Sequence, residues 1–314
     1  MDEFYDTAKA ASRLDVIIQE RRKIVAGQRG VFQLSDLKAN TLDVLQVGAR
    51  GFCVLSNASE EGGMEPTYVR VVGIVTSKLL PPLSRPSNFT QMKKSRPHMR
   101  QAVTLGGLGS TEFEKQITAL ETVYLQFYQH LPEGSLVPME ATTVSGHSAL
   151  DVSCRYFTHR NAANGQGQEI ISPLVDPDGV LTSLCDSEFL YTADNMVDYR
   201  ARVMQENGTV KFEDCSPAVF KVGDIVEATV VFACIPTKDK RFKLTFLLKA
   251  LMQINTEERN AAAVLRMRSR YPNFVRTAIP KRKPTYADDE EIQETQDRFC
   301  RMRIDTEVED EGSG

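Results

Sequence analysis

The longest alternating pattern in the chain lies between Val222 and Ile254. After the turn signal Gly223-Asp224, Val226, Ala228, Val230, Phe232 and Cys234 share one face, while Glu227 and Thr229 fall on the other. Pro236 ends the run and Thr237-Lys238-Asp239-Lys240 supplies a reversal. In the run that follows, Phe242, Leu244, Phe246, Leu248, Ala250 and Met252 alternate with Lys243, Thr245, Leu247 and Lys249. Period-two alternation of this length predicts a half-buried antiparallel hairpin with a basic outer face.

The rest of the chain mixes strand and helix signals. Apolar Ala8, Ala11, Leu14, Ile17 and Ile18 recur at helical spacing, so residues 4–26 read as a helix that Gly27 stops. Residues 31–80 change to strand patterns, with Ser59-Glu60-Glu61-Gly62-Gly63 as the turn of a second hairpin, over 52–80. Residues 81–101 are proline-rich and read as an irregular loop. A short strand and the glycines 106, 107 and 109 lead to a second helix. There Thr111 and Glu114 suggest a capping box, and Phe113, Ile117, Leu120 and Tyr124 with Phe127 or Tyr128 form the apolar stripe. Short strands are expected over 144–160 and 168–203, with turns at 161–168 and Asp176-Pro177-Asp178-Gly179, and a helix over 256–270.

Composition narrows the class. With 41% hydrophobic and 25% charged residues over 314 positions, the chain can bury a globular core. No apolar run reaches the ~20 residues of a membrane span, and no basic-then-apolar leader opens the chain. The expectation is an intracellular protein, nuclear or cytoplasmic, with no membrane partner. Six scattered cysteines, none at metal-ligand spacing, read as free thiols.

The net charge of -4 gives no global attraction to a polyanion, but the charge is segregated. No acid occurs from Pro66 to Thr111, a window holding Arg70, Lys78, Arg85, Lys93, Lys94, Arg96 and Arg100 with Phe89 and His98. A second acid-free window, Val264 to Tyr286, holds Arg266, Arg268, Arg270, Arg276, Lys281, Arg282 and Lys283 with Tyr271 and Phe274. Lys240, Arg241 and Lys243 mark the turn of the long hairpin. Cations neutralise phosphates and interleaved rings offer stacking faces, so these windows suit nucleic acid. The candidate contacts are Arg70, Lys78, Lys93, Lys94, Arg96, Arg100, Lys240, Arg241, Lys243, Arg266 and Arg270. The competing reading is a solvated basic surface balanced by the acidic segment 287–312, which has eleven Asp or Glu against three Arg.

Catalytic patterns are weaker. Gly106-Gly107-Leu108-Gly109-Ser110 before a helix suggests an anion cradle, but the GK[ST] of a P-loop is absent and a flexible turn explains it as well. Ser145-Gly146-His147-Ser148 lacks a nucleophile elbow, and no histidine stands at metal-ligand spacing. No cofactor, metal or catalytic residue is expected.

Val222 to Glu227, the turn 237–241 and Leu247-Leu248 resemble a set of uncharacterised multicopy proteins of mushroom-forming fungi. That resemblance implies a β-rich fold. The same stretch is similar to the strand and hairpin of oligonucleotide-binding (OB) barrels, which implies a single-strand-binding face. The chain departs from those barrels in having no tryptophan and a long insertion at 81–143.

The expected fold is mainly β with helical insertions (α+β), built on one or two antiparallel OB-like or related small barrels. Its parts would be an N-terminal helix (1–27), a β-rich core (28–258) with a helical insert near 111–131, a basic helix and loop (259–286) and a flexible acidic tail (287–314). The expected function is non-enzymatic binding of nucleic acid, single-stranded rather than duplex. The first alternative is self-assembly, with the basic windows meeting the acidic tail of a neighbouring copy in a homo-oligomer. The second is an enzyme with no recognisable motif.

Overall fold

The long hairpin forms as the alternation predicts, with a kink that the alternation does not show. In the computed structural model, residues 1–270 are described apart from 27, 29, 39–41, 48–51, 59–62, 86, 164 and 206–207. The acidic tail, the basic residues beyond Arg270, Gly27, Cys300 and most of the 59–63 turn lie outside the described residues. The chain divides into two units, Met1–Arg266 and Met267–Gly314, and all that follows on packing concerns the first.

The elements run from helix α1 (Thr7–Val25) through strands β1 (Val31–Gln33), β2 (Asp43–Val47), β3 (Phe52–Ala58), β4 (Met64–Pro66) and β5 (Tyr68–Leu79). Helix α2 (Phe89–Ser95), β6 (Arg100–Gly106) and α3 (Thr111–His130) follow. Next come β7 (Thr142–Val144), β8 (His147–Arg155), β9 (Thr158–His159), α4 (Val180–Leu184) and β10 (Phe189–Leu190). The last are β11 (Asp198–Met204), β12 (Val210–Asp214), β13 (Ile225–Pro236), β14 (Phe242–Asn255) and α5 (Glu257–Arg270). The protein is therefore mainly β sheet with a few helices.

Five strands close a ring. β5 pairs β6, β6 pairs β8, β8 meets β14, and β13 pairs both β14 and β5. Each contact is antiparallel except β8 with β14, which is parallel at Leu247 and Ser153. β2, β3 and β4 extend the sheet beyond β13, and β11 and β12 extend it beyond β14.

The even-numbered residues of β13 fill the ring interior, as the alternation requires, and Phe232 meets Phe246 edge to face at 5.3 Å. On β14 the register slips. Thr229 pairs Ala250 but Val230 pairs Leu248, so Lys249 is an extra residue, a β-bulge. Beyond it the faces exchange: Leu251 is fully buried, while Ala250 and Met252, expected to share a face with Leu248, are only half-buried.

The outer face of β13 is also covered. Val231 and Ala233 pack with Val54, Leu45, Phe52 and Leu247. Glu227, expected to face outward, is 2% exposed. Its carboxylate accepts two hydrogen bonds from Arg21 at 2.8 Å and is 3.2 Å from Arg70. Two paired cations are what allow a carboxylate at this depth. Asp224 is likewise buried: it accepts from the Lys221 amide at 2.8 Å and from Gln253 at 2.7 Å, and pairs with Arg259 at 3.0 Å. Burial pushes its pKa up, and those hydrogen bonds and the Arg259 charge pull against it. At Gly223, φ is +95° and a Cβ would stand 2.8 Å from the Tyr5 ring, so only glycine serves. The polar residues of the Gly-Asp-Ile-Val-Glu segment thus dock α1 and α5 onto the ring.

β5 is buried on both faces because α1 and α3 cover its outer side. Between the pairings of β5 with β1 and β6, the Gln116 amide substitutes for a strand. It accepts from the Val72 amide at 3.1 Å and donates to the Val72 carbonyl at 3.0 Å. The second hairpin differs from expectation. β3 turns back onto β4, whereas β5 leaves to pair with β13 and β6. The 81–101 segment is not wholly irregular, since it contains α2 followed by a 3-10 turn at Arg96–His98. Residues 168–203 hold α4 as well as strands, and Asp176 caps that helix by accepting from the Leu181 and Thr182 amides.

Candidate nucleic-acid interface

The cations of the first acid-free window divide into two sets. Arg70, on β5, is tied to Glu227 and donates to Gln28 at 2.9 Å. Arg96 is 8% exposed: it donates to the Lys93 and Leu184 carbonyls, pairs with Asp186 and lies over the Phe189 ring at 4.7 Å. Both arginines hold the fold together, which leaves no free donor fork for a phosphate. The Arg96 hydrogen bond holds the Asp186 carboxyl down to about 2.

The second set has no ion-pair partner among the described residues. Lys94 is exposed on α2, and Lys93 beside it is half-buried with its ammonium 5.4 Å from the Phe89 ring centroid. Phe89 itself is exposed, so this short helix presents a ring and two lysines together. Lys78, half-buried on β5, has its pKa lowered by burial and then by Lys221. Arg100 opens β6, where its pKa is lowered by burial and then by Arg155. Arg155, at the end of β8, was missed in the sequence because Asp151 precedes it and no basic run surrounds it.

At the turn of the long hairpin Lys240, Arg241 and Lys243 are all exposed. The turn is closed by the Thr237 amide donating to Arg241 O at 2.7 Å, and Lys240 has φ +59°. On α5, Arg266 pairs with Asp2, and Arg270 is exposed at the helix end.

The outward residues of β6 and β8 form facing pairs: Arg100 with Arg155, Ala102 with Ser153, and Thr104 with Asp151. Their neighbours Gln101, Val103 and Leu105, and Leu150, Val152 and Cys154, are buried on the ring side. The face is therefore basic at one end, small-chained in the middle and acidic at the other. There Asp151 accepts from Thr104 at 2.6 Å and Thr142 at 3.0 Å. Strand direction puts the α2 loop at the end of β8 where Arg155 lies. The 237–241 turn precedes Leu247 and so stands toward the start of β8. The two basic loops thus lie toward opposite ends of the ring rather than forming one cluster.

The helix N-terminus that follows the glycine loop is occupied by one of the protein's own carboxyl groups. Asp15 of α1 accepts from Ser110 Oγ at 2.5 Å and from the Glu112 amide at 3.0 Å. The cap is Ser110 rather than Thr111, with its hydroxyl accepting from the Phe113 amide at 3.0 Å. A Cβ at Gly107 would stand 2.6 Å from the Phe113 ring, so that glycine serves packing. Among the described residues, no group of three or more His, Cys, Asp or Glu could hold a metal ion. No described helix is long and apolar enough to cross a membrane.

No family model matches the chain, and no curated protein matches it. Among solved structures it is similar to gp2.5, a single-stranded DNA binding protein encoded by bacteriophage T7, at 10% identity and a TM-score of 0.31. The match covers 61% of this chain and 87% of that one. A TM-score of that size is too low to define a common fold.

Proposed function

We propose that the chain is a non-enzymatic nucleic-acid-binding protein that takes single strands across the outer face of β6 and β8. Counted in chain order, the ring strands β5, β6, β8, β13 and β14 run 1-2-3-5-4 and back to 1. We read this closure as an OB-like barrel, a class whose second and third strands carry the ligand and whose 1–2 and 4–5 loops flank it. The observation that carries the reading is where the unpaired cations fall. Lys94 is in the 1–2 loop, Arg100 and Arg155 are on strands 2 and 3, and Lys240, Arg241 and Lys243 surround the 4–5 loop. The arginines that face inward, Arg21, Arg70, Arg96 and Arg259, all have carboxylate partners.

An extended strand lying from the α2 loop to the hairpin turn would meet cations at both ends, with the small Ala102 and Ser153 between them and the Asp151 carboxylate, tied to Thr104 and Thr142, to pass before the turn. Phe89 offers one stacking face. The helix α3 between strands 2 and 3 and the absence of tryptophan set this chain apart from other such barrels.

The test is a titration of labelled single-stranded and duplex DNA and RNA over a range of salt, run beside light scattering. Salt-dependent retention of single strands in preference to duplex is expected. No retention at moderate salt, with an oligomer that dissolves on deletion of residues 287–314, would replace this reading with self-assembly.

A further inference from the structure

Like charges set directly opposite each other on neighbouring strands destabilise a sheet, because their Cβ atoms stand only ~4.5–5.5 Å apart. Arg100 and Arg155 are such a pair. Their strand neighbours Gln101 and Cys154 are buried toward the ring interior, so both guanidinium groups leave the same outer face. Neither forms a hydrogen bond or ion pair through its side chain with a described residue. Arg155 is exposed, but Arg100 is half-buried, and Arg21, Arg70, Arg96 and Arg259, the other described arginines that are half-buried or buried, each have a carboxylate partner.

Lys249, the bulge residue of β14, and Arg100 both lower the pKa of the Cys154 thiol against the larger upward push of burial. Lys249 already has a partner, donating to the Asp194 carbonyl at 3.2 Å with its ammonium 3.6 Å from that carboxylate. Asp194 also accepts from Gln166 at 3.0 Å. No described carboxylate pairs with Arg100 or Arg155, and the two arginines face each other with their charge uncompensated. The burial of Arg100 increases the cost of that arrangement.

Beyond the pair the face drops to Ala102 and Ser153, whose short side chains leave the guanidinium groups open to approach along the strands. The nearest acid on the face, Asp151, lies two residues further along each strand, held by two threonine hydroxyls. Two planar donor forks side by side, with no internal acceptor, match a tetrahedral oxyanion better than a solvated surface.

We propose that Arg100 and Arg155 form a subsite for one phosphate group, resting on the reading above in that the natural occupant is a backbone phosphodiester of a bound single strand. The anion removes the repulsion and bridges β6 to β8.

The test uses the full chain with Arg155→Gln and Arg155→Glu, and inorganic phosphate as the probe against chloride at matched ionic strength. Arg155 is exposed, so neither variant should unfold. Phosphate should raise the melting temperature of the wild type and not that of either variant. Arg155→Glu should melt higher than the wild type without phosphate, since it turns a repulsion into an ion pair with Arg100. Each variant should bind single strands roughly tenfold more weakly than the wild type. If phosphate stabilises the wild type and Arg155→Gln equally, or stabilises neither, the subsite is wrong. A wild type that binds single strands, with both variants binding as tightly, also overturns it and leaves the nucleic-acid reading standing. A wild type that binds no single strand but loses its phosphate response in Arg155→Gln keeps the subsite, as one for free phosphate, and removes the nucleic-acid reading.

Discussion

At Lys249 one residue decides which side chains of β14 are core. The hydrophobic pattern of Phe242 to Met252 is regular enough to be read through without a break, and on that reading Ala250 and Met252 would be buried. The bulge hands the interior to Leu251 instead. A period-two pattern cannot signal a bulge when apolar residues occur on both sides of the slip, as Leu247, Leu248, Ala250, Leu251 and Met252 do here. Leu251→Ala should therefore cost ~2–5 kcal/mol and Met252→Ala about 1 kcal/mol, read from denaturant melts. Equal costs, or a larger one at Met252, would restore the unbroken register. Glu227 was equally hard to read. It occupies a polar position in the alternation, but its partners Arg21 and Arg70 are 206 and 157 residues away in the chain.

Among the elements, the long helices α1 and α3 were easier to find than their caps, while the short α2 and α4 were not expected. The spacing of Leu14, Ile17 and Ile18 and of Phe113, Leu120 and Phe127 placed α1 and α3 nearly to their ends. The cap of α3 is one residue earlier than the Thr111 box suggests, and the carboxylate that supports Ser110 could not be read locally, because it is supplied by Asp15 from the other helix. Asp15→Ala should lower stability by ~1 kcal/mol, the usual worth of an N-cap contact, measurable by chemical denaturation. An unchanged midpoint would mean that Ser110 alone suffices.

Helix α2 depends on a different contact. It is joined through Arg96 to Asp186, whose carboxyl is held down to about 2 by that guanidinium. A depressed folded pKa gives stability above the ordinary carboxylate range and loses it as pH falls through the folded value. Hydrogen exchange at the amides of 89–98 should therefore be slowed by this contact above pH about 4, and that protection should be lost as the pH falls from about 4 toward 2. Asp186→Asn should remove that pH dependence while leaving α2 less protected throughout. If the wild type and the Asn variant exchange alike at neutral pH, Asp186 does not hold the helix.

Across the whole molecule, the strand runs of 52–79, 100–106, 147–155 and 225–255 were legible in the sequence, and with them a mainly β fold. The closure of five strands from these runs into a ring was expected only through the resemblance of 222–254 to OB barrels, not from the patterns themselves. It depends on which edges meet, above all the parallel contact of Leu247 with Ser153, across 94 residues of chain. The basic windows identified where cations are dense but not which are free. Arg70 and Arg96 turned inward to carboxylates from distant segments, while Arg155, outside both windows, joined Arg100 on the outer face. Charge segregation along a chain reports on partners only after folding has matched the acids and bases that can pair.

On the proposed function, the cations of the two loops that have no ion-pair partner among the described residues bind one strand together. The most direct measurement is the slope of log affinity against log salt for a short single strand, in the wild type and in a variant with Lys94, Lys240 and Arg241 replaced by Gln. Single strands lose roughly 0.7 per neutralised phosphate, so the slope should become shallower by about two while the melting temperature stays the same. An unchanged slope in a variant that still folds would contradict the claim.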